Sequence, residues 1–133
     1  MKNKASLLIV IFALTLTMIS CKTKNDNEKI IGKWQHILIV AEHPQGNDTL
    51  DMTKYPPTFN TFRENSTLLV SNGQKEVNVR YFIRNNKLFS FQLGASDTSK
   101  MDIKKLTKDE LILQITIMDQ EQHKENLYYK KVK

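Results

Sequence analysis

From Ile30 to the C-terminus the apolar residues fall on alternate positions, in short runs broken by turn residues. That rhythm marks β-strands and leaves little room for helix. In Val77-Asn78-Val79-Arg80-Tyr81-Phe82-Ile83-Arg84 the odd positions are apolar and most even ones polar. In Leu111-Ile112-Leu113-Gln114-Ile115-Thr116-Ile117 the odd positions are again all apolar. Strands are expected at about 31–41, 58–63, 67–71, 75–84, 87–93, 100–106, 110–118 and 123–132. Asn72-Gly73 and Asn85-Asn86 can enter positive φ, as tight two-residue hairpins require. Residues 42–57 read as one long polar loop, closed by Pro56-Pro57, that could act as a lid. Eight antiparallel strands with tight connections suit an all-β up-and-down barrel, because closure removes exposed edges.

Strand side chains alternate faces, so the odd positions Val79, Tyr81, Leu113 and Ile115 are expected to line the interior. Phe89, Phe91 and Leu93 are assigned to the same lining. On the first strand Trp34, the chain's only tryptophan, points inward and takes His36, Leu38 and Val40 with it. Ile37, Ile39 and Phe82 break the pattern and are expected in an outer patch. Gly32 precedes Trp34 by two residues and, lacking a Cβ, allows another segment to approach closely. Trp34 is therefore placed at the closed end, with a lysine from the final strand (Lys130, Lys131 or Lys133) across its ring.

The alternation starts only after a different kind of sequence. Lys2 and Lys4 are followed by a stretch from Ala5 to Ser20 with no charge, then by Cys21. A basic start, an apolar run too short to span a bilayer and a small residue before the cut make a cleaved secretory signal over residues 1–20. Cys21 is the only cysteine, so it forms no internal disulfide. Leu16-Thr17-Met18-Ile19-Ser20-Cys21 resembles a bacterial lipobox, which implies that Cys21 carries diacylglycerol and an acylated amino group, palmitate included. The polar run from Lys22 to Lys29 then reads as a flexible tether. Residues 21–29 thus join the anchor to a domain at 30–133.

Gly32-Lys33-Trp34, Thr58-Phe59-Asn60-Thr61-Phe62 and Tyr128-Tyr129-Lys130-Lys131 stand in that order along the domain. Order and spacing resemble the lipocalin-like lipoproteins exported by Bacteroidota. The resemblance implies an eight-stranded barrel, membrane-anchored through Cys21, that binds a small hydrophobic molecule. The contacts expected for that molecule are Trp34, His36, Val79, Tyr81, Phe89, Phe91, Leu113 and Ile115. It also implies a place in the cell envelope, at the outer membrane, facing either the periplasm or the cell surface. The Thr-Asp-Tyr motif of larger lipocalins is missing, and no arginine closes the last strand. Asp48-Thr49-Leu50 is similar to the O-glycosylation sequon of these bacteria, with Thr49 as acceptor.

Other chemistries find little support. Losing Lys2 and Lys4 with the signal lowers the net charge from +6 to +4, and the remaining basic residues are spread along the chain. With those residues spread, no aromatic-rich basic face is expected, and nucleic acid is a poor candidate that an exported chain would rarely meet. His36, His43 and His123 share no metal-ligand spacing, and no Gly-x-Ser-x-Gly elbow occurs. Asp48 and Asp51 lack the dense ligand spacing of a calcium loop. The expectation is a monomeric, non-enzymatic protein without cofactor or metal. The alternative is an envelope interaction module with a filled core, presenting its loops to a protein or glycan.

Overall fold

The computed structural model describes residues 25–119 and 122–133. The expected signal, Cys21 and residues 22–24 lie outside that range, so cleavage and lipidation have no structural counterpart here. The chain opens with a helical turn, α1 (Asp26–Lys29), followed by nine strands. These are β1 (Gly32–His43), β2 (Gly46–Asp51), β3 (Phe59–Phe62), β4 (Thr67–Ser71), β5 (Glu76–Arg84), β6 (Lys87–Phe91), β7 (Thr98–Leu106), β8 (Glu110–Ile117) and β9 (His123–Lys131). Every neighbour is antiparallel and β9 pairs back onto β1, closing the sheet. Strands β1 and β3–β9 make the eight-stranded up-and-down barrel, the architecture of lipocalins.

Strand β2 corrects the expected lid. Residues 42–57 are not one loop: Gly46–Asp51 pairs with the second half of β1, from Leu38↔Asp51 to His43↔Gly46. The reason lies in backbone hydrogen bonding. Strand β3 reaches only Gly32 to Gln35 of β1, and the rest of that edge needs partners. β2 supplies them, running in the same direction as β3, so the two form one interrupted strand. A 3₁₀ turn (Met52–Lys54) and Pro56-Pro57, which have no backbone N–H, account for the break.

The expected polar tether is likewise corrected in its last residues. Asn25 caps α1 by accepting a hydrogen bond from the Glu28 N–H at 3.0 Å. Ile30, which follows the turn, is fully buried. α1 packs on β5 and closes one end of the barrel.

Two bulges reset which side chains face inward. On β1, His36 pairs with Tyr129 but Leu38 pairs with Tyr128, leaving Ile37 as the extra residue. Past the bulge the parity flips. Ile39, opposite Leu127, packs on the core, while Leu38 and Val40 face out, the reverse of the alternation rule. Lys104 is the matching extra residue on β7. Inside, Ile30, Trp34, Phe62, Leu68, Tyr81, Leu88, Leu111 and Leu113 fill the closed end.

Candidate functional site

The barrel interior differs between its two ends. At the closed end Trp34 is 0% exposed, and its indole Nε1–H donates to the Ile30 carbonyl at 2.7 Å. That bond ties the chain entering from α1 to the floor of the barrel. Lys131 Nζ lies 4.9 Å from the Trp34 ring centroid and donates to the Lys29 carbonyl at 3.2 Å. The lysine expected from the final strand is Lys131. Phe62 and Tyr81 meet edge to face at 5.0 Å, and the Tyr81 hydroxyl donates to the Arg63 carbonyl at 3.0 Å. Burial raises the Tyr81 pKa above its ordinary value.

Above the floor His36 stacks on Tyr129, with centroids 4.7 Å apart and planes 19° apart. Burial pushes the Tyr129 hydroxyl up to about 12, against a hydrogen bond with Asn60. Burial also lowers the His36 pKa, and a hydrogen bond with the Leu38 backbone works against it. Its Nε2 is buried without a hydrogen-bond partner among the described residues. An imidazole more easily protonated in the unfolded chain makes the fold lose stability as pH falls from 6.5 toward the lowered folded value. Thermal unfolding should therefore show a loss below pH 6.5 that His36→Phe removes. Equal pH slopes in the two proteins would contradict the burial of His36.

The open end is differently lined. Val70 pairs with Val77, and both share the inward face with Leu68 and Val79. Yet they are 39% and 42% exposed, so the apolar lining meets solvent there. Around the rim the rings of His43 and His123 lie 4.7 Å apart, tilted by 34°. His43 Nε2 lies 3.5 Å from Asp48, and His123 lies 3.4 Å from both Asp119 and Glu125. No group of three such side chains is arranged to hold a metal among the described residues.

Of the side chains expected in the interior, Trp34, His36, Val79, Tyr81, Leu113 and Ile115 face inward. Phe89 and Phe91 do not. The two-residue turn at Asn85-Asn86, both at positive φ, pairs Arg84 with Lys87 and places Leu88 opposite inward-facing Ile83. Phe89 and Phe91 therefore point outward, beside Phe82, and contribute nothing to the lining. Sequence reasoning missed the His43–His123 pair, which the β1–β9 register brings together across 80 positions. It also missed Tyr129, the partner of His36. Thr49 sits on exposed β2, opposite outward-facing Val40.

No family model matches the chain, and no curated protein matches it. Among solved structures it is similar to a lipocalin-like protein from Bacteroides uniformis, at 11% identity and a TM-score of 0.48. That match covers 78% of this chain and 99% of the other. A bovine odorant-binding protein, a deswapped triple mutant, matches at 12% identity and a TM-score of 0.45, covering 78% and 74%.

Proposed function

We propose that the protein is a non-enzymatic, lipid-anchored carrier that takes a small hydrophobic molecule into the open end of its barrel. The observation that carries this reading is the exposure of Val70 and Val77 on the inward face, where Val79 and Ile115 also lie, packed against the core. A concave apolar lining with a few polar groups at its rim suits a small ligand better than a macromolecule. His43, His123 and Glu125 stand where a polar end of the molecule would emerge. The filled floor under Trp34 limits how deep it can go.

An apolar fluorescent dye that brightens on burial tests the reading. Val77→Arg should abolish dye binding while leaving the strand pattern intact by circular dichroism. Phe91→Arg, on the outer face, should leave it unchanged. Dye bound equally by the wild type and by Val77→Arg would overturn the proposal.

The anchor and address belong to the same proposal. Cys21 would be acylated after removal of residues 1–20, holding the barrel at the outer membrane, and Thr49 would be the O-glycosylated residue. Cys21→Ala is expected to leave an unprocessed precursor with no acyl label. Palmitate incorporation into that variant would contradict the assignment.

A further inference from the structure

The outward side of β5–β7 is unlike the rest of the barrel wall. Around the aromatics its outward positions are Arg80, Phe82 and Arg84 on β5 (Glu76 and Asn78 precede them at its far end), Lys87, Phe89 and Phe91 on β6, and Thr98, Lys100 and Asp102 on β7. Phe82 and Phe89 stack at 4.7 Å with planes 9° apart, and Phe91 meets Phe82 at 6.4 Å. Phe82 is 43% exposed. A stacked pair with a third ring edge-on, on a solvent-facing wall, satisfies no packing need of the core behind it.

Most charges around them are basic, although Glu28 and Glu64 share a hollow with Phe82. Asp102 is the one carboxylate among the outward positions around the aromatics, and it is paired with Lys87. That hydrogen bond holds its carboxyl below the usual carboxylate range, with Lys104 and Lys100 adding to the effect. Arg80, Arg84 and Lys100 make no ion pair among the described residues.

The course of the chain gives a second, independent pointer. Asn25, Asn27 and Glu28 line a hollow of about 820 Å³ together with Phe82 and Ile83. The chain therefore enters the fold beside the aromatic wall. Cys21 lies four residues before Asn25, a reach of at most about 14 Å.

We propose that this wall is a bilayer-docking face: Phe82, Phe89 and Phe91 enter the interface while Arg80, Arg84 and Lys100 meet anionic headgroups. Aromatic rings and cations on one face are the side chains that the boundary between headgroups and acyl chains accommodates. The short reach rests on the acylated Cys21 of the proposed function; the aromatic and cationic wall does not. Docked this way, the barrel would lie on its side, with its open end directed along the membrane surface.

The test uses the full-length chain expressed in a Bacteroidota host and reconstituted into phosphatidylcholine–phosphatidylglycerol vesicles with brominated acyl chains. Phe82→Trp places a reporter in the wall, while buried Trp34 supplies the unquenched baseline in the wild type. The new indole should be quenched, and Arg80→Gln with Arg84→Gln should lower the docking equilibrium constant about 30-fold, from roughly fivefold per basic residue. Acyl labelling of Cys21 is read on the same samples. Quenching without acylation would remove the anchor reading and leave the docking face standing. No quenching, with or without acylation, overturns the proposal. A dimer in sedimentation that Phe82→Ser dissolves, or an indole shift given by an acidic polysaccharide, would in the absence of quenching assign the face to that partner instead.

Discussion

Trp34→Ala is expected to lower unfolding stability by about 3–5 kcal/mol, the range for truncating a buried large aromatic. The indole is fully buried between α1 and the core, so its loss leaves a cavity at the barrel floor. It also removes the hydrogen bond to the Ile30 carbonyl, loosening the closing turn. The cation over the ring is the smaller effect, about 0.5–2 kcal/mol depending on how dry the site is. Lys131→Ala should therefore cost clearly less than Trp34→Ala, and Lys133→Ala less still. Denaturant unfolding followed by circular dichroism measures all three. A Trp34→Ala variant within about 0.5 kcal/mol of wild type, the range usual at surfaces, would contradict the assignment.

Gly32→Val should have the next largest effect, at least about 1–3 kcal/mol, from backbone strain alone. Gly32 has φ +129°, a conformation that a β-branched residue essentially does not adopt. A Cβ there would also come within 2.6 Å of Lys131 Cε. That contact is with a flexible side chain, which can move, but moving takes the ammonium off the Trp34 ring. The two contributions separate in a double mutant. If the displaced lysine matters, Gly32→Val with Lys131→Ala should cost less than the two single changes added together. Strict additivity would leave strain as the whole effect.

The sequence was legible wherever strict alternation met a tight turn. Strand β4 runs over the residues that alternation marked, and β5, β8 and β9 differ from expectation by one residue at an end. Trp34 at the closed end was legible from its type and from Gly32 before it. What misled was any residue count changed by one. Ile37 is extra on β1, and nothing in Gln35-His36-Ile37-Leu38 announces a bulge. Alternation alone therefore puts Leu38, Ile39 and Val40 on the wrong faces.

The misplacement of Phe89 and Phe91 is different, because the sequence held the correction. A two-residue hairpin at Asn85-Asn86 pairs Arg84 with Lys87, so odd positions on β5 face even ones on β6. Inward Tyr81 and Ile83 then require inward Ser90 and Leu88. Hydrophobicity alone favoured the phenylalanines, and register decides against it. Strand β2 was illegible for a third reason: Asn47-Asp48-Thr49-Leu50 is polar because both its faces meet solvent. Its role is to satisfy the backbone of β1, which side-chain pattern does not record.

The claim that the open end takes an apolar molecule is tested most directly by amide chemical shifts during titration with the dye. The account expects shifts at Val70, Val77, Val79 and Ile115, spreading to His43 and His123 at the rim, with Phe82, Phe89 and Phe91 unmoved. Shifts confined to those three phenylalanines, with the inward valines silent, would contradict it.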